Sequence, residues 1–176
     1  QAGASPREAR PFRTESSHLH RFFEQVAFTI MASNGDGHLK NYGVLYTSGV
    51  DLRLAPMFDV VTTSIYRYAR FQGGEDLEDR TMALKLFAGK GQSRTYPTTV
   101  ELIRFGREIC RVLNPKDVLC RIADAMTDAL GEARQDARIP SDLLAKMSDV
   151  WSSGMNHAVE ACRIGKTDKA ERMRLQ

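Results

Sequence analysis

The sequence predicts a mainly α, α+β domain: a helical bundle that carries one β-hairpin. Three observations make that prediction. Apolar residues recur at three- and four-residue steps from Leu19 to Ala32. The last 80 residues show the same helical spacing in three further segments. Between them lie two short β-like runs joined by a polar loop.

The length of 176 residues and mass of 19.7 kDa fit one ordinary domain, or two small lobes sharing a core. With 42% apolar and 27% charged residues the chain is close to the globular average, which excludes disorder and fibrous repeats. The densest apolar stretch, Phe22 to Ala32, holds Glu24, Gln25 and Thr29, so no membrane span is expected. Gln1 to Arg13 lacks the apolar centre of a signal peptide. The absence of an initiator Met is what a piece of a longer protein would show.

The net charge of +3 belongs to the ends. Residues 1–13 carry three Arg and one Glu, and residues 163–176 carry five basic and two acidic residues. The 149 residues between them hold 17 basic and 19 acidic side chains, so the sequence offers no clustered nucleic-acid footprint. Cys110, Cys120 and Cys162 are an odd number without a C-x-x-C spacing, each in an apolar helical context. They read as reduced thiols in a cytoplasmic protein, not as a disulfide framework or zinc site.

Taken in order, residues 1–17 read as an extended lead-in, with Ser16 or Ser17 available to cap the next helix. Leu19, Phe22, Phe23, Val26, Ala27, Ile30 and Met31 form its apolar stripe, which stops at Ser33-Asn34-Gly35-Asp36-Gly37. Tyr42–Tyr46 and Leu52–Ala55 read as hairpin strands. Gly73, Gly74 and the acidic run Glu75–Asp79 read as an exposed loop, and Met82–Phe87 as a short strand. Helices are expected from Pro97-Thr98-Thr99, from Pro115 and from Pro140, each opened by a proline, with Trp151 largely buried on the third. Residues 18–163 form the predicted folded lobe, and residues 164–176 a basic tail.

The polar residues that stand out are Asn34, Asp36, His38, Lys40 and Asn41, with Asp59 after the hairpin. An EF-hand loop with Gly37 as its sixth residue would run from Ala32 to Gly43, without the first acidic ligand or the closing Glu. That reading fails. Asn41 precedes the first strand and Asp59 follows the second, so antiparallel pairing brings the two together at the open end of the hairpin. A carboxylate and an amide oxygen there suit magnesium, which keeps waters and takes further oxygens from phosphates. Asp36, five residues before Asn41, is placed to orient a nucleophilic hydroxyl, the order found in a protein-kinase catalytic loop. Taken singly, Asp36 reads first as a turn residue, since Asn-Gly and Asp-Gly are common turn dipeptides, and Asp59 could cap a following turn; the whole Asp–Asn–hairpin–Asp arrangement favours the catalytic reading.

At these residues the sequence resembles the HipA toxin kinases. Asp36-Gly37-His38-Leu39-Lys40-Asn41 matches that family's D-x-H-x-K-N catalytic pattern. Leu54-Ala55-Pro56-Met57-Phe58-Asp59 through Thr63 is similar to its L-x-P-x-Y-D-x-x-S metal segment, with Phe58 for Tyr and Thr63 for Ser. Met82–Leu86 resembles a strand that follows these motifs. The resemblance implies the C-terminal, mainly helical lobe of an ATP-dependent serine/threonine protein kinase, the toxin of a toxin–antitoxin pair. By it, Asp36 is the catalytic base or orienting group, Asn41 and Asp59 hold magnesium, and Lys40 meets phosphate. His38 either buttresses the loop or touches the nucleotide. The implied ligands are Mg and ATP. The implied partners are a protein Ser/Thr acceptor and a HipB-like antitoxin, with DNA reached only through the antitoxin.

No Gly-rich phosphate loop precedes Asp36, and Gly89-Lys90-Gly91 lies on the wrong side and reads as a tight turn. The chain alone is therefore expected to be inactive. Two other readings stand beside the kinase lobe: a non-catalytic module derived from it, binding an antitoxin or DNA, and a metal-dependent phosphohydrolase using Asp36, His38 and Asp59. His18, His20 and His157 lie outside the motif and add no ligand pattern to the last.

Overall fold

A computed structural model describes residues 15–48, 51–69, 76–78, 81–88 and 94–174. The elements run α1 (Glu15–Met31), β1 (Val44–Ser48), β2 (Asp51–Leu54), β3 (Arg67–Ala69), β4 (Asp76–Glu78), α2 (Thr99–Arg104), α3 (Pro115–Ala133) and α4 (Ser141–Arg174). The architecture is the predicted one, mainly α with an antiparallel hairpin. Helix α4 packs along α3 and touches α1 and α2, and β2 leans on α1.

Periodicity explains α1. Phe23, Val26, Ala27, Ile30 and Met31 lie on one face and are all but fully buried. They meet Leu102 and Ile103 of α2, Val118, Leu119 and Met126 of α3, and Ala158 and Ala161 of α4 in a single core. The capping box at the start of α2 is complete: the Thr98 hydroxyl accepts from the Glu101 N–H, and the Glu101 carboxylate accepts from the Thr98 N–H at 2.8 Å. Beyond Arg104 the chain widens into a π-turn, Phe105–Ile109. Pro115 occupies the first turn of α3, where its missing N–H is harmless.

Several expectations change. α1 already runs from Glu15, so Ser16 and Ser17 lie inside its first turn and do not cap it. The remaining lead-in, residues 1–14, lies outside the described residues, as do Gly73, Gly74 and Gly89-Lys90-Gly91. Part of the acidic run is strand β4, with Ala69 opposite Asp76 and Arg67 opposite Glu78. Met82–Phe87 is not a strand, because its amides find scattered partners: Met82 N–H bonds Arg94 O and Ala83 N–H bonds Gly35 O. α4 continues unbroken to Arg174, so the predicted basic tail is helical in its backbone over residues 164–174.

The thiols are free. Burial pushes the Cys110 thiol pKa up to about 12, while Cys120 and Cys162 stay reduced, their thiols in hydrogen-bond contact with sulfurs 3.7 Å apart. Trp151 is partly buried, edge-on to Phe28 with ring centres 6.4 Å apart, and its indole N–H is spent on Thr62 Oγ1 at 2.9 Å. Among the described residues no helix is long and apolar enough to cross a membrane.

Candidate functional site

The loop that leaves α1 is built by the way the helix ends. Ser33 N–H bonds Ile30 O at 3.0 Å and Asn34 N–H bonds Thr29 O at 2.9 Å, with Ser33 at φ 54°. This is a Schellman motif with serine where glycine is usual. The strained residue presents its carbonyl outward, where it accepts from Thr63 N–H, Thr63 Oγ1 and Ser64 Oγ at 3.1, 3.2 and 3.4 Å.

Gly35 and Gly37 are glycines because of crowding. A Cβ on Gly35 would stand 2.5 Å from the Thr81 carbonyl oxygen, and one on Gly37 would overlap the Thr29 methyl. The Gly35 N–H donates to Thr63 Oγ1 at 2.7 Å. The hydroxyl of Thr63 thus joins the loop after α1 to the segment after the hairpin. That role for Thr63, and that of Asn34 below, was not legible in the sequence; the only signal was a hydroxyl at a position where the resembling motif carries Ser.

Between them the hairpin does what antiparallel pairing requires. Val44 stands opposite Leu54, and Ala55 N–H bonds Gly43 O at 2.8 Å, extending the ladder to the hairpin's open end. Asn41, closing the short 3₁₀ turn Leu39–Asn41, and Asp59 therefore converge. Asn41 Nδ2 donates to Asp59 Oδ2 at 2.8 Å, and Asn34 Nδ2 reaches the Asp59 carbonyl at 3.4 Å. Asp59 has φ 56°, a left-handed backbone that Asp tolerates better than most residues. Asn41 is 9% exposed, and its Oδ1 is buried with no hydrogen-bond partner among the described residues.

The other predicted residues sit around this pair. Asp36 is exposed between the two glycines, its carbonyl accepting from His38 N–H at 2.7 Å, and its carboxylate makes no hydrogen bond or ion pair among the described residues. Lys40 is exposed and also without an ion pair among them. His38 is partly buried with its Nδ1 unpartnered among the described residues, so the loop does not hold that nitrogen by a hydrogen bond. Tyr42 packs under the loop, donating to Thr29 Oγ1 at 3.3 Å; burial raises its phenol above the ordinary range and keeps it neutral.

The donor set can be tested for a metal on this geometry. An orphaned, buried amide oxygen next to a carboxylate is costly unless a cation or water meets it. One neutral and one anionic oxygen fit magnesium, which rarely demands more protein ligands. Among the described residues there is no group of three or more His, Cys, Asp or Glu side chains that could hold a metal, so a His/Asp cluster of Asp36, His38 and Asp59 is not formed.

A family model for the HipA-like C-terminal domain matches residues 7–134, well over half of the chain. The chain belongs to that family. No curated protein matches it. The match takes in α1, both hairpins, α2 and α3. In this HipA-like domain α4 lies beyond the matched span, yet it supplies core residues Ala158 and Ala161 and braces the Asp59 segment through Trp151 and Thr62.

Proposed function

We propose that this HipA-like domain is the C-terminal catalytic lobe of a cytoplasmic serine/threonine protein kinase, the toxin of a toxin–antitoxin pair with a HipB-like antitoxin. It transfers the γ-phosphoryl group of ATP to a protein hydroxyl. The observation that carries the reading is the Asn41–Asp59 pair, joined through the Asn41 amide nitrogen and leaving the amide oxygen unpartnered among the described residues. Asn41 and Asp59 are the residues that would hold magnesium, which supplies charge neutralisation for the transferring phosphoryl group.

The chain's own groups divide the remaining work. Asp36, with a carboxylate free of other described partners, accepts the hydrogen bond of the incoming Ser or Thr hydroxyl and takes its proton. Lys40 sets a free positive charge one residue from Asn41, suited to phosphate oxygens. His38, unbonded at Nδ1, is placed on the same loop to contact the nucleotide. Thr63 holds the two segments at a constant separation, and positioning is most of what phosphoryl transfer requires of a protein.

Calorimetric titration of Mg-ATP into the kinase that carries this domain tests the division of roles. Asp59→Ala removes a charged metal ligand and is expected to weaken Mg-ATP binding and turnover together. Asp36→Ala removes a group that acts on the hydroxyl, so turnover is expected to collapse while Mg-ATP affinity changes little. Equal loss of affinity in both variants would assign Asp36 to the metal. Binding of the antitoxin with no transfer in the wild type would make the domain a non-catalytic module.

A further inference from the structure

On the face of the Asp59 segment that is turned toward the helices lies a cleft of about 450 Å³, bounded by α1, Pro56 and Met57, α3 and Trp151 of α4. It is within the size range of small-molecule sites, and at about 30 Å³ per water-sized group it holds a ligand of roughly fifteen non-hydrogen atoms. Its walls are two aromatic rings, Phe28 and Trp151, set edge to face at 78°, and two methionines, Met57 and Met126. Such a lining favours a flat aromatic body, through ring–ring and sulfur–ring contacts.

The polar groups at the rim select the ligand's charge. Glu24 is already neutralised, its Oε1 accepting from Arg121 Nη2 at 2.9 Å with His20 at 3.4 Å. Gln25 spends its amide N–H on the Ala55 carbonyl at 2.8 Å. Arg21 is exposed at the rim and has no ion pair among the described residues. Among the described residues the rim therefore offers one uncommitted guanidinium and no uncommitted carboxylate.

We infer that this cleft binds a small aromatic carboxylate, its ring between Phe28, Trp151 and the methionines and its carboxylate on Arg21. The inference stands apart from phosphoryl transfer, since it uses none of Asp36, Asn41 or Asp59. The test titrates 2-naphthoate and its neutral analogue 2-naphthamide into the 176-residue chain by calorimetry, while following the indole N–H resonance of the single Trp, Trp151. Saturable binding of naphthoate that shifts this resonance is expected. Arg21→Gln is expected to weaken naphthoate about tenfold and leave naphthamide unchanged. Ala125→Phe, from an exposed position on α3 that lines the cleft, is expected to abolish both; Ala129→Phe repeats that block from the next turn should the first variant unfold. Absence of saturable binding, an unmoved Trp151 resonance, or binding that survives both blocking variants overturns the inference. So does equal binding of the two probes, which would mark the cleft as a seat for an uncharged apolar group such as a partner's side chain.

Discussion

Replacing Gly154 by Ala sets two opposed effects against each other. Gly154 is in the middle of α4, where an alanine is worth about 0.8–1.0 kcal/mol more than glycine by helix propensity. In this fold, however, α4 crosses the end of α1 at that residue. An added Cβ would overlap the Met31 carbonyl oxygen and stand 2.7 Å from its carbon and 3.0 Å from its Cα. Ordinary carbon–carbon contact needs about 3.5–4.0 Å, so the helices must part by the better part of an ångström. Overpacking of this kind costs about 1–3 kcal/mol, and the upper end applies because the obstacle is backbone and cannot rotate away. The net expectation is a loss of about 2 kcal/mol, or roughly 4–8 °C in Tm for a chain of this size. Gly131 of α3 is the matched control, for a Cβ there meets nothing within 4 Å. Gly131→Ala should gain about 0.5–1 kcal/mol. Urea and thermal unfolding of both variants decide the matter. If Gly154→Ala is as stable as the wild type or more so, the close approach of α4 to Met31 is wrong; if Gly131→Ala destabilises, the open surroundings of Gly131 are wrong.

Three further outcomes are expected. Ser33→Gly should stabilise by about 0.5–1 kcal/mol in denaturant titration, because relief of the φ 54° strain exceeds the added unfolded-state entropy and the contacts of Ser33 use its carbonyl. Thr63→Val should cost about 1–3 kcal/mol by the same assay, since it leaves the Gly35 N–H unmatched, whereas Thr63→Ser should be near neutral. The third concerns acid. Burial lowers the His157 pKa below 6.5 against the opposing pull of Glu160, while its Nδ1 contacts Thr99 Oγ1, which itself donates to Glu160. A depressed pKa means that the unfolded chain takes up the proton first, so stability is full above pH 6.5 and falls as the pH drops through the folded-state value. Unfolding midpoints from pH 7 to pH 5 should fall less steeply in His157→Asn, which keeps a donor toward Thr99 and removes the titration.

Much of the local structure was legible because it follows from short-range rules. The apolar stripe of α1, the capping box at Thr98 and Glu101, the proline that opens α3 and the pairing of the first hairpin's strands are each set by neighbours within a few positions. The meeting of Asn41 and Asp59 was also legible, since a hairpin with a short loop returns the chain to its starting point whatever the rest of the fold does.

Two of the failures share a cause. Ser16 and Ser17 have the composition of caps and Asp76–Glu78 that of a loop, but the helix begins earlier and β3 offers those acidic residues a ladder. Met82–Phe87 has a strand's composition, but its amides were claimed by Arg94 and by Gly35. For Asp76–Glu78 and Met82–Phe87 a partner outside the local segment overrode local preference, and no local pattern names that partner.

The amino-acid sequence by itself determined which residues are capable of chemistry and which short segments hold them: Asp36, His38, Lys40 and Asn41 on one loop and Asp59 beyond one hairpin. Tertiary structure alone decided that Thr63 ties those two segments together, that Trp151 of α4 braces the second through Thr62, and that Asn41 is left with an oxygen unpartnered among the described residues. The physical reason is range. Periodicity, caps and turns act over a few residues, whereas the satisfaction of a buried polar atom depends on whatever the whole fold brings beside it, here from 18 to 89 positions away.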